Sequence, residues 1–143
     1  MVIRYDYLWA SEERDGYSTG EKHRPCAVVV ALPAAPGTSA KRAYVCGITH
    51  SKPVAPSEGI EIPAKVKTHM GLDDQPSWVI TNEANKLDWN DRGIVRTATG
   101  KWDYGFLPRE FMAQIIEKMK SRCGRGDFDW IARPGPSTGP GAS

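Results

Sequence analysis

The chain has 143 residues, 40% hydrophobic, 25% charged and 9% aromatic, with 14 Gly and 11 Pro; that fits one globular domain, excludes wholesale disorder and leaves too little for two independent cores. Its 19 Lys+Arg against 17 Asp+Glu give a formal charge of +2, so polybasic binding of nucleic acid is excluded and any anionic partner must be held locally. No apolar run approaches the roughly 20 residues of a membrane-spanning helix.

The first residues carry charge at Arg4 and Asp6 and lack an apolar stretch with a small-residue cleavage site, so no secretory signal is read and a cytoplasmic location is expected. Ile3, Tyr5, Tyr7 and Trp9 alternate with Arg4, Asp6 and Leu8, which predicts a strand with an aromatic face on the core. Residues 10–25 lose that pattern and read as a long loop with Gly16 and Gly20 as flexible points. The valine-rich run Cys26 to Leu32 predicts a buried strand, Pro33 to Ala40 its turn, and Arg42 to Thr49 the partner strand. Short strands follow at Gly59 to Ile62, Trp78 to Thr81, Lys86 to Trp89 and Ile94 to Thr97, with a helical turn or two after Pro63 closed by Gly71. From Pro108, the residues Leu107, Phe111, Met112, Ile115, Ile116 and Met119 share one helical face. The pattern predicts a mainly β fold, a small barrel, with a C-terminal helix capping it or covering an edge.

The barrel with its helix is expected over 1–122 and a Gly/Pro-rich tail over 123–143, since residues 133–143 contain six Gly or Pro in eleven. Within that tail Phe128, Trp130 and Ile131 are apolar, and docking on the chain's own body is their expected use.

For chemistry, Cys26, Cys46 and Cys123 are odd in number and widely spaced, so a disulfide framework or a Cys-x-x-Cys zinc site is not read, and Cys26 and Cys46 are expected in the core. His23, His50 and His69 form no metal-ligand spacing, and Asp73-Asp74 reads as turn chemistry. Neither a metal nor a cofactor is expected. Phosphate-binding glycine loops and the Gly-x-Ser-x-Gly elbow are absent as well.

Two segments remain. Lys22-His23-Arg24-Pro25 sets three potential cations at the head of the valine strand, and Pro25 holds Arg24 extended. Gly47-Ile48-Thr49-His50-Ser51-Lys52 ends the partner strand with two hydroxyls, an imidazole and an ammonium. If the strands pair through the 33–40 turn, residue 49 falls opposite residue 24. A guanidinium fork beside a hydroxyl suits the charge that grows on a phosphodiester in a pentacoordinate transition state. The same residues also read as a surface ion-pair partner, a strand end and a turn.

These residues resemble the MazF/PemK (Kid-like) toxins of bacterial type II toxin–antitoxin pairs, in the PemK-like growth-inhibitor branch. The resemblance spans about residues 3–120. It rests on the aromatic opening strand, Arg24-Pro25 before CAVVVAL, the strand ending in Ile48-Thr49, the segment Asn82 to Trp89, and the final strand and helix, Tyr104 to Lys120. It implies an SH3-like barrel, commonly a homodimer, that cuts single-stranded mRNA without metal by attack of the ribose 2′-hydroxyl and is silenced by a cognate antitoxin. Arg24 and Thr49 match the family's active-site pair, Arg24 clamping phosphate and stabilising the leaving group and Thr49 hydrogen bonding the scissile phosphate. Arginine, with a pKa above about 12, is a poor base, so His50 is the candidate general base or acid, provided the strand ends at Thr49; Glu83 is a second candidate. Kid-type members carry a histidine and an Arg-x-Asp where this chain has Ser18, Ile80 and Asn82, so their acid–base assignment does not transfer. Substrate contacts are expected from Tyr17, Lys22, His23, Ser51, Asn82, Glu83 and Asn85, whose polar groups can read unpaired bases. The alternatives are a gyrase-binding protein of the CcdB type, whose terminal Trp-Gly-Ile this chain lacks, and a barrel that binds RNA or protein without cutting.

Overall fold

A computed structural model describes residues 1–32 and 41–133. The expected turn at 33–40 and residues 134–143 of the expected tail lie outside the described residues.

Among the described residues eight strands form a mainly antiparallel sheet, in chain order β1 (Val2–Tyr5), β2 (Arg24–Leu32), β3 (Arg42–Thr49), β4 (Gly59–Glu61), β5 (Trp78–Ile80), β6 (Glu83–Asp88), β7 (Ile94–Val95) and β8 (Asp129–Ala132). Among the described residues three α-helices accompany them, α1 (Ala10–Arg14), α2 (Ala64–Met70) and α3 (Arg109–Gly124), with a 3-10 turn at Pro56–Glu58. The path β4-β5-β3-β2-β1-β7 runs across the sheet; the opening half of β3 pairs with β6, and β6 pairs with β8 in parallel. Among the described residues the sheet does not close on itself. No helix among the described residues is long and apolar enough to cross a membrane.

Alternation on β1 and β3 feeds two cores, as the period-two pattern requires. Val2, Cys46 and Ile48 turn to one face, where Phe111, Ile115 and Met119 of α3 cover them. Ile3, Tyr5 and Val45 turn to the other, joined by Tyr7, Cys26 and Leu87. The helix therefore lies on one face of the sheet, with its apolar residues at the predicted spacing. Cys26 and Cys46 are buried, as their residue type suggests, and burial pushes both thiols well above the ordinary cysteine range, which leaves no thiolate for chemistry.

Three expectations change. The stretch 10–25 is not all loop, because Ala10–Arg14 forms α1. Glu12 Oε1 accepts the Trp9 N–H at 3.0 Å and so caps a five-residue helix, four good formers and Ser11, too short to show an amphipathic period. The opening strand ends at Tyr5; Tyr7 stays fully buried because its hydroxyl donates to Glu83 Oε1 at 3.1 Å, not because it belongs to a ladder. Residues 123–133, expected as tail, belong to the fold: α3 runs to Gly124 and β8 pairs Glu83↔Asp129 through Lys86↔Ala132. Ile131 is buried while Trp130 packs edge-on against Tyr44, so the apolar residues of this stretch dock on the chain's own body.

Candidate functional site

The β2–β3 ladder sets the site. Its pairs Val28↔Val45, Ala27↔Cys46 and Cys26↔Gly47 hold one register; the ladder ends there, and that register carried two residues further puts Arg24 opposite Thr49. An irregularity between Val28 and Val30 shifts the register by one residue: the pairs nearer residues 33–40, Leu32↔Arg42 to Val30↔Tyr44, would carry Arg24 to His50, and the shift sets it opposite Thr49 instead. Both residues line a cleft of about 770 Å3, together with Lys22, His23, His50 and Ser51.

Trp9, read from the sequence as a core aromatic, supports Arg24. The guanidinium carbon stands 5.0 Å from the centre of the indole ring. The indole leans on Gly47, where an added Cβ would meet Trp9 Cη2 at 2.7 Å, so the absence of a side chain there is a packing requirement. Arg24 Nε is buried without a hydrogen-bond acceptor among the described residues, as are Arg42 Nε and Arg133 Nε; of the three arginines only Arg24 lines the cleft. A buried donor of this kind favours an incoming acceptor. On the facing strand Thr49 Oγ1 accepts the Ser51 N–H at 3.1 Å, which leaves its O–H to donate.

The strand ends at Thr49, so His50 is released from strand alternation and lines the same cleft as Thr49. Its Nε2 lies 2.7 Å from Asp73 Oδ2. Asp73 follows α2 in the chain, and its other oxygen accepts from Lys67 Nζ at 2.8 Å. The hydrogen bond from Lys67, with that of the Gln75 N–H, holds the Asp73 carboxyl below its ordinary range. Lys67 is 4% exposed and spends its three donors on Asp73, Ser77 Oγ at 2.7 Å and the Gln75 carbonyl, which is how a lysine is tolerated there. The Asp73-Asp74 pair is thus more than a turn, and no local pattern in the sequence announces either Lys67 or the His50 contact.

The cleft is mixed in charge. Arg4, Lys22 and Arg24 face Glu12, Glu21 and Asp73, but Glu12 is occupied by the Trp9 and Glu21 N–H groups and Asp73 by Lys67 and His50. Among the described residues no group of three or more His, Cys, Asp or Glu side chains could hold a metal ion.

The remaining expected substrate contacts do not gather here. Asn85 is fully buried; its Oδ1 accepts the Leu8 N–H at 2.9 Å and its Nδ2 donates to the Leu8 carbonyl at 2.8 Å, so the amide that was to read a base is consumed by the fold. Glu83 accepts from Tyr7 Oη and from the Ala10 N–H, each at 3.1 Å, and is neither an exposed carboxylate nor a group of the cleft. Burial raises its pKa above the ordinary glutamate value, against the pull of those two donors. Asn82 leads into β6 outside the cleft lining, and Tyr17, 63% exposed, also stands off it.

No family model, no curated protein and no solved structure matches this chain.

Proposed function

We propose that the chain is a metal-independent endoribonuclease of the MazF/PemK kind, built on an SH3-like barrel, that cuts single-stranded RNA at the Arg24–Thr49 cleft. The observation that carries this reading is an arginine with a buried, unsatisfied Nε, stacked on Trp9 and set by strand register beside a threonine hydroxyl free to donate.

The chemistry follows from those groups. Arg24 offers a planar fork to the non-bridging oxygens of a phosphodiester, and Thr49 adds a donor to the charge that builds as phosphorus becomes pentacoordinate. His50 takes the proton of the ribose 2′-hydroxyl; the 2′-oxygen bonds to phosphorus and the bond to the 5′-oxygen breaks. The imidazolium returns that proton to the departing 5′-oxygen, so the products are a 2′,3′-cyclic phosphate and a 5′-hydroxyl, and no water is consumed. Lys22, His23 and Ser51 complete the contacts to the strand. A short strand held by one clamp and a few polar contacts needs little net charge, which fits a chain of +2. On this reading the protein is the toxin of a toxin–antitoxin pair, acts as a homodimer in the cytoplasm, and is silenced by a cognate antitoxin of the PemI/MazE kind.

The test is the purified protein with a long unstructured RNA in excess EDTA, beside Arg24→Ala and Thr49→Ala. Fragments with cyclic-phosphate ends from the unchanged protein and none from Arg24→Ala are expected. Cleavage that requires magnesium, or that survives Arg24→Ala, overturns the reading, and binding of RNA without cleavage favours the non-catalytic barrel. Co-expression with the product of a short adjacent reading frame tests the antitoxin: rescue of growth is expected.

A further inference from the structure

We infer that Asp73 and Lys67 are positioning residues for His50, fixing its imidazole so that Nδ1 presents the basic lone pair to the cleft. The inference rests on the endoribonuclease reading and adds to it two residues from α2 and the turn that follows it.

Three observations carry it. His50 Nε2 lies 2.7 Å from Asp73 Oδ2, well within ion-pair distance. Asp73 is itself anchored, because Oδ1 accepts both from Lys67 Nζ at 2.8 Å and from the Gln75 N–H at 3.1 Å, and Lys67 is immobilised by its three acceptors. Held in its ionised form by these donors, the carboxylate has no proton to give. At that separation the hydrogen between the two groups sits on Nε2, and a ring carrying a single proton then has its lone pair on Nδ1. A surface histidine at the end of a strand would otherwise turn freely about χ1 and χ2; here it is tied through a carboxylate to a buried ammonium. The same contact stabilises the imidazolium that forms when the 2′-hydroxyl loses its proton.

Asp73→Asn gives a sharp test. Lysine only donates, so the new amide turns its oxygen to Lys67 and its NH2 to His50. Nε2 must then accept, the ring proton moves to Nδ1, and the base is lost with the ring still in place. We expect 15N–1H correlation spectra of the free protein to show His50 as the Nε2–H form in the unchanged chain and the Nδ1–H form in Asp73→Asn. We expect kcat to fall about a hundredfold, the scale of a lost general base, with KM unchanged and with no further loss when Asp73→Asn is added to His50→Ala. A purely structural aspartate would lower stability without moving the tautomer and would add its loss to that of His50→Ala. Nδ1–H or a mixture of forms in the unchanged protein overturns the inference, as does full kcat in Asp73→Asn. These outcomes separate from failure of the broader reading: if the unchanged protein cuts RNA only when Arg24 is present but ignores Asp73→Asn, the inference alone falls. If the unchanged protein cuts no RNA, the enzyme reading falls and the catalytic use of the pair falls with it.

Discussion

Trp9 is the floor beneath Arg24: the guanidinium stands 5.0 Å above the indole, and the indole rests where Gly47 has no side chain. The strand partner of Cys26 thus shapes the Arg24 side of the cleft through packing alone. Gly47→Ala would bring a Cβ within 2.7 Å of Trp9 Cη2 and 3.1 Å of Tyr7 Cδ1, so the indole must tilt and Arg24 loses its platform. The expected result is a folded protein destabilised by about 1–3 kcal/mol, the range of overpacking, with cleavage reduced. Urea unfolding and single-turnover cleavage of the same preparation check both parts.

The clamp should depend on geometry as well as charge. Arg24→Lys keeps a positive charge but loses the fork and the buried Nε, so it should recover little of the activity that Arg24→Ala loses. At the facing position Thr49→Ser should cut nearly as well as the unchanged protein. Thr49→Val, with the same shape and no donor, should lose about a hundredfold in kcat, the scale of one transition-state donor. Rates at saturating RNA read the difference.

Asn85 should prove structural. Its amide closes both backbone groups of Leu8 and receives Arg133 Nη1 at 3.1 Å, all inside the protein. Asn85→Ala leaves those partners unsatisfied and should cost about 2–4 kcal/mol of stability. Affinity for RNA, measured on the folded fraction at low temperature, should not change. A loss of affinity at unchanged stability would return Asn85 to the substrate contacts.

Glu83 makes a prediction about pH. Burial raises its pKa above 4.5 in the folded protein, so the folded state holds this proton more tightly than the unfolded chain does. Its contribution is fullest below the unfolded value and declines as pH rises through the folded one. Glu83→Gln keeps an oxygen for Tyr7 and Ala10 and removes the buried charge. Its stability relative to the unchanged protein should therefore improve from pH 4 to pH 7, as denaturant unfolding at the two values would show. Glu83→Ala, which strands both donors, should be less stable at either pH.

The amino-acid sequence by itself determined the parts governed by local physics. The alternation of Ile3 and Tyr5 with Arg4 produced β1, the valine run and its partner produced the paired strands β2 and β3, and the spacing of Phe111, Ile115 and Met119 produced α3. The meeting of Arg24 and Thr49 was legible only approximately, because counting from a turn does not foresee the irregularity between Val28 and Val30 that shifts the register by one residue. His50 was legible as a residue type, and its place in the cleft followed from β3 stopping at Thr49. Tertiary structure alone decided what that histidine does, since Asp73 and Lys67 reach it from another element and a contact across elements leaves no periodic trace in the chain. The same holds for Asn85 and Glu83, polar residues on a strand that look equally fit to read a base or to fasten the Leu8–Ala10 backbone until burial chooses. It holds too for β8, whose parallel pairing with β6 is a long-range event that composition, full of Gly and charge between Arg122 and Asp129, could not announce.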